Sequence, residues 1–128
     1  FDFEDNQPHQ IWIGAGIGIT PFVARLKQRA AHPDTKMIDL FHPTAEFEQA
    51  AIDRLTADTE AAGVRLHLLV DGKDGRLNGE RIRAAVPEWR SASLWFCGPP
   101  GFGQALREDF CANGLAPEQF HQELFQMR

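Results

Sequence analysis

Short apolar runs alternate along the chain with amphipathic stretches, the pattern of a parallel sheet with helices packed on its faces. The runs cover residues 10–13, 37–41, 64–70, 93–97 and 119–125. The first four are nearly continuous in apolar character and read as strands buried on both faces. The fifth alternates at Phe120, Gln122 and Leu124 and reads as an edge strand. Four helices fit between them. The first opens at Thr20, whose hydroxyl is placed to cap it, with Pro21 at the first helical position where a missing N–H costs nothing. It presents Phe22, Val23, Leu26 and Ala30 on one face. The second spans 45–62, with Glu46 and Glu48 in a first turn that favours anions, a buried stripe of Phe47, Ala51 and Leu55, and Gly63 as a left-handed stop. The third covers 79–86 and ends at Pro87; the fourth covers 102–112 and stops at Asn113-Gly114. This order predicts an α/β fold, a three-layer α/β/α sandwich around a five-stranded parallel sheet, occupying residues 10–128.

Composition narrows the picture. At 128 residues and 14.4 kDa, with 43% hydrophobic and 24% charged residues, the chain has room for one core. A net charge of −5 argues against nucleic acid or an anionic membrane as the main partner, so any bound anion must be met by a local site. No apolar run approaches the roughly 18 to 20 residues that cross a bilayer, and residues 1–10 are acidic where a signal peptide would be basic and then apolar. The chain as given reads as soluble. Cys97 and Cys111 show no metal-ligand spacing and point to a reducing compartment rather than a disulfide scaffold. There is no Tyr.

In an open α/β sheet, ligands sit beyond the carboxyl ends of the strands, and three such ends are unusual here. The first reads Gly14-Ala15-Gly16-Ile17-Gly18-Ile19-Thr20-Pro21. Three glycines permit a sharp bend and close approach to a bulky anion, and the N–H groups and dipole of the following helix attract phosphate. A pyrophosphate suits this loop, although it is neither GxGxxG nor a P-loop. A plain strand-to-helix turn explains one such glycine more readily than three. The second end is Cys97-Gly98-Pro99-Pro100-Gly101, where a thiol borders the crevice and a flat aromatic ligand has room to lie; a small packed side chain is the plainer reading of that cysteine. The third is the stretch 120–128, in which Glu123 is costly unless paired or solvated at a site, or else an exposed edge carboxylate. His121 reads as a surface residue. The loop 71–78 adds Lys73 and Arg76 at the end of the third strand.

Together the glycine loop ending in Thr-Pro-Phe at 14–22, the Cys-Gly-Pro strand end at 97–99 and the Glu-x-aromatic at 123–125 resemble the pyridine-nucleotide domain of the ferredoxin–NADP⁺ reductase superfamily. They occur in that family's order and spacing across nearly the whole chain. The ending Phe-His-x-Glu-Leu-Phe-x-Met-Arg looks most like bacterial ferric reductases related to NADPH oxidases. The resemblance implies that Gly14, Gly16, Gly18, Thr20 and Pro21 cradle the pyrophosphate of NADPH or NADH, and that Cys97 lies by the nicotinamide with Gly98 and Pro99 shaping its pocket. Glu123 matches a carboxylate near the hydride-transfer site and Phe125 the aromatic that covers the flavin, although Gln126, Met127 and Arg128 follow it here. It also implies a parent in which FAD is held by a preceding barrel domain, with residues 1–9 as the linker from it, and, in the ferric-reductase branch, a haem-bearing membrane domain. The parent would then work at the cytoplasmic face of the inner membrane. NADP-specific members place Ser-Arg after the third strand, whereas Asp71-Gly72 stands here. Asp71 would suit a ribose hydroxyl and NADH, while Lys73 and Arg76 would suit a 2′-phosphate and NADPH.

Two further classes compete with this flavoprotein oxidoreductase. A non-catalytic nucleotide-sensing or interaction domain would keep the phosphate loop but needs neither Cys97 nor Glu123. A response-regulator-like domain shares the α/β alternation but requires paired acids where Ile13-Gly14 stand.

Overall fold

The computed structural model describes residues 7–45, 48–70 and 73–124, with the backbone alone for Glu123 and Leu124. The strands are β1 (His9–Gly14), β2 (Met37–Thr44), β3 (Arg65–Val70), β4 (Ala92–Gly98) and β5 (Phe120–Leu124). The helices are α1 (Thr20–Ala31), α2 (Gln49–Ala62), α3 (Gly79–Ala85) and α4 (Pro100–Ala112). The strands form one parallel sheet in the order β3-β2-β1-β4-β5, with β5 at an edge as its alternation predicts.

Successive side chains of a strand face opposite sides of the sheet, and each side has its own core. Ile11, Ile13, Leu94 and Phe96 pack with Ile82, Leu106 and Phe110 beneath α3 and α4. Trp12, Trp95 and Cys97 pack with Phe22, Leu26 and Leu55 beneath α1 and α2. The two central indoles are satisfied in the same way: Trp12 Nε1 donates to Gln10 at 2.9 Å and Trp95 Nε1 to Ser93 at 3.0 Å. Gln10 faces Ser93 and Trp12 faces Trp95 in the register, so each buried polar residue serves the ring two positions along on its own strand.

Local details depart from the sequence-based expectations for identifiable reasons. Thr20 does not cap α1: a 3-10 turn at Gly16–Ile19 runs straight into the helix, and the Thr20 hydroxyl donates instead to the Ile17 carbonyl at 3.0 Å. Ala30 is exposed and Arg29 takes the buried place. Its guanidinium donates to the carbonyls of Ala62 and Lys36, each at 2.8 Å, and pairs with Asp34, so its charge and donors are met. In α2, Glu48 is the residue before the first turn rather than inside it, and Ala51 is exposed, leaving Leu55, Thr59 and Ala62 as the buried face. Glu46 and Phe47 lie outside the described residues. Gly63 adopts φ 69° and ends α2 as expected. β3 is an edge strand, exposed at Arg65 and half-buried over 66–68, and not the doubly covered strand its apolar run suggests. His121 is half-buried and stacked on Trp95 at 3.9 Å, because β5 sets the two side by side in the register.

Candidate functional site

The sheet order places the topological switch between β1 and β4, where successive connections depart in opposite directions and a crevice opens at the strand ends. Gly14 of β1, Cys97 of β4 and Glu123 of β5 occupy one register row there. The Ala15 N–H donates to the Cys97 carbonyl at 3.0 Å, tying the start of the glycine bend to the tip of β4. The bend and the thiol-bearing strand end thus meet.

The three glycines of the bend do different things. A Cβ on Gly14 would meet the Ile19 Cα and the Phe22 ring at 2.9 Å, so its bareness lets α1 close onto the strand. Gly16 has φ 58°, and a Cβ there would enter open space. That is the position where backbone approaches the crevice without a side chain in front of it. Gly18 is buried, and its N–H is spent on the Ala15 carbonyl at 2.9 Å. The N–H groups left without an acceptor inside the 3-10 turn are therefore those of its first two residues, Gly16 and Ile17, both exposed. Pro21 sits in the first turn of α1.

Two cavities flank this bend. The first, about 470 Å³, is lined by Ala15, Gly16 and Ile17 from the bend, by Pro43, Thr44 and Ala45 from the end of β2, by Arg76 and Leu77, and by Pro99 and Phe102 from the end of β4. The second, about 630 Å³, lies between α1 and α2, with an apolar floor including Val23, Ile52 and Leu55 and a rim including Thr20, Lys27, Glu48, Arg54 and Asp58. Of the expected contacts, Gly16, Arg76 and Pro99 share the first cavity, and Thr20 faces the second. Gly98 backs the bend, since a Cβ there would meet that of Ala15 at 2.9 Å. Cys97 is 5% exposed, packs under α1 and lines neither cavity, which suits a packing role and not a nucleophile. Lys73 is exposed, with its N–H bonded to the Val70 carbonyl, and borders neither cavity. Asp71, Phe125 and the Glu123 side chain lie outside the described residues.

Sequence reasoning passed over His42. Its Nδ1 lies 2.6 Å from the Gly14 carbonyl; a carbonyl only accepts, so Nδ1 carries the proton. Burial holds the imidazole below its ordinary pKa, against the opposing pull of that carbonyl. The available signal is Pro43, two residues past the apolar run 37–41, where a strand continuing from that run loses a backbone donor. Among the described residues no cluster of three or more His, Cys, Asp or Glu is arranged to hold a metal.

No family model matches the chain. It is 29% identical over 122 residues to an NADPH oxidoreductase of Mycobacterium tuberculosis, covering 92% of this chain and 31% of that protein. It is 23% identical over 134 residues to a flavohemoprotein of Oceanobacillus iheyensis, covering 97% and 32%. The chain therefore spans about a third of the length of these curated relatives. Among solved structures, the cytochrome P450 reductase of Amycolatopsis superposes with a TM-score of 0.73 at 27% identity, over 97% of this chain and 39% of that one. The flavohem-like FAD/NAD-binding domain of nitric oxide dioxygenase from Vibrio cholerae gives 0.79 at 20% identity, over 98% and 54%. A ferredoxin–NADP⁺ reductase from Plasmodium falciparum, in complex with 2′-phospho-AMP, gives 0.69 at 15% identity, over 91% and 51%. The chain thus has the α/β fold of ferredoxin-reductase NAD-binding domains, and in sequence it is similar to about a third of an NADPH oxidoreductase and of a flavohemoprotein.

Proposed function

We propose that this chain binds NAD(P)H at the glycine bend and presents the nicotinamide to FAD held by a barrel domain of the same polypeptide, as one part of a flavin-dependent oxidoreductase. The observation that carries the reading is the union of bend and strand tips: exposed Gly16 and Ile17 amides with no acceptor inside the turn, open space at the Gly16 Cβ position, and the Gly14–Cys97–Glu123 row beside them. A first cavity of about 470 Å³ between the bend, the tip of β2 and Pro99 is of a size that takes part of a dinucleotide. The chemistry supplied by the bound groups is hydride transfer from nicotinamide C4 to flavin N5, which depends on placement more than on acid–base help.

The chain's residues divide that task. The amides of Gly16 and Ile17 hold the diphosphate. Gly98 and Pro99 shape the pocket at the β4 tip, and Cys97 supports it from the core side. Glu123, one strand away from Cys97 in the register, would supply a carboxylate near the hydride-transfer site, and Phe125 would cover the flavin. Arg76, which lines the first cavity, would meet a 2′-phosphate and so favours NADPH, with Lys73 on the same loop, whereas Asp71 would suit the ribose hydroxyl of NADH. The ending at 120–128 supports a ferric-reductase-like parent with a haem-bearing membrane domain, working at the cytoplasmic face of the inner membrane. Among the described residues no helix is long and apolar enough to cross a membrane, so that domain would lie elsewhere in the parent.

Calorimetric titration of the chain with NADPH and NADH tests the reading. Binding to at least one is expected, and Gly16→Val should abolish it by filling the space before the bend. Absence of binding to both, even with the flavin domain joined, contradicts it.

A further inference from the structure

We infer that His42 is a positioning residue of the glycine bend, its imidazole standing in for a backbone donor that Pro43 cannot supply. The N–H and C=O of one strand residue point to the same side, and successive residues alternate sides. Because Ala15 donates to Cys97 on β4, the groups of Gly14 must face β2. In a parallel ladder, the donor for the Gly14 carbonyl is the residue after its register partner. The last paired residues are Ile13 and Phe41, so Gly14 comes opposite His42 and the donor position falls on Pro43. Proline has no N–H, and the β1–β2 pairing ends there while β2 continues beside β3 to Thr44. The Gly14 carbonyl would be left unmet at the mouth of the sheet, and the His42 Nδ1–H meets it at 2.6 Å.

This exchange has a geometric consequence. A ladder bond from residue 43 would continue the β1–β2 pairing toward Ala15. A side-chain donor fixes the Gly14–Ala15 peptide while allowing the chain to leave the sheet at once, into the positive φ of Gly16. The orientation of that peptide sets where the Gly16 and Ile17 amides point. His42 therefore acts on nucleotide affinity through the bend, an effect that rests on the reading of the bend as a diphosphate cradle.

The test uses four forms of the 128-residue chain: wild type, His42→Phe, His42→Asn and the double variant His42→Phe/Pro43→Ala. Asn keeps a donor at the place of Nδ1, and the alanine restores the backbone N–H. Amide resonances of Ala15, Gly16 and Ile17 and the Kd for NADPH and NADH are measured for each. His42→Phe is expected to displace those resonances and weaken nucleotide binding roughly tenfold. His42→Asn and the double variant are expected to return both toward wild type. Unmoved resonances in His42→Phe, or failure of both donor-restoring variants to bring them back, overturn the inference. If His42→Phe does not fold, wild-type-like resonances and affinity in His42→Asn support it and a displaced bend there overturns it. Should wild type bind neither nucleotide, the cradle reading fails, and the resonances alone decide the role of His42.

Discussion

Asp39 is a carboxylate 1% exposed in the middle of β2, held among basic groups from both neighbouring strands. Its oxygens accept from His9 Nε2 at 2.7 Å, His67 Nε2 at 2.8 Å and Arg65 Nε at 3.0 Å. Burial pushes the carboxyl up, but the bonds from His67 and His9 and the charge of Arg65 outweigh it, so its pKa lies below the ordinary value. A group depressed in the folded state stabilises it above its unfolded pKa, about 3.9, and that contribution disappears as pH falls through the lower folded value. Asp39→Asn should therefore cost about 2 to 3 kcal/mol at pH 7, since Arg65 loses its counter-charge and the hydrogen bonds from His9 and His67 lose a charged acceptor. Its stability should also decline less between about pH 4 and pH 2 than that of wild type. Urea unfolding across that range reads both effects. None of this was legible in the sequence: His9, Asp39 and His67 lie about thirty residues apart in turn, and only the strand register joins them. The glycine bend, by contrast, is a local object, and its residues announce it wherever the chain goes.

At the scale of elements, α4 illustrates how closely helices ride on this sheet. A Cβ on Gly103 would meet the Gln122 side chain at 2.1 Å and the Phe96 ring at 2.6 Å. Gln122 has some freedom, but Phe96 is fully buried in the core beneath α3 and α4. Gly103→Ala should thus destabilise the fold by about 1 to 3 kcal/mol despite its helical location, where alanine would ordinarily be preferred. The midpoint of urea denaturation measures it. Helix ends were readable where Pro or Gly enforced them, as at Gly63 and Pro87, because those constraints act within one or two residues. The inward faces were less readable. Arg29 takes the place expected of Ala30 because the Ala62 and Lys36 carbonyls and Asp34 wait for it, and nothing near Arg29 in sequence reveals the carbonyl of Ala62. Likewise Pro43 marked an anomaly in β2, yet its resolution by His42 depends on which strand lies beside it.

For the whole molecule, the parallel order β3-β2-β1-β4-β5 brings three distant stretches of sequence to one edge, which is why motifs of modest individual weight acquire meaning together. If the chain is joined to a flavin domain as proposed, Glu123→Ala should slow flavin reduction roughly tenfold or more while changing nucleotide Kd far less, because its register place lies two strands from Gly14, at the end of the row where the proposed reading puts the nicotinamide. Stopped-flow absorbance at the flavin band separates the two. The central claim, that the bend at the switch point holds the diphosphate, is tested most directly by a crystal structure of the chain with bound NADPH or NADH. Diphosphate oxygens are expected within hydrogen-bond distance of the Gly16 and Ile17 amides, with the nicotinamide directed to the Cys97–Glu123 end of the row. A dinucleotide bound away from those two amides, or with its nicotinamide over the β3 edge, would contradict it.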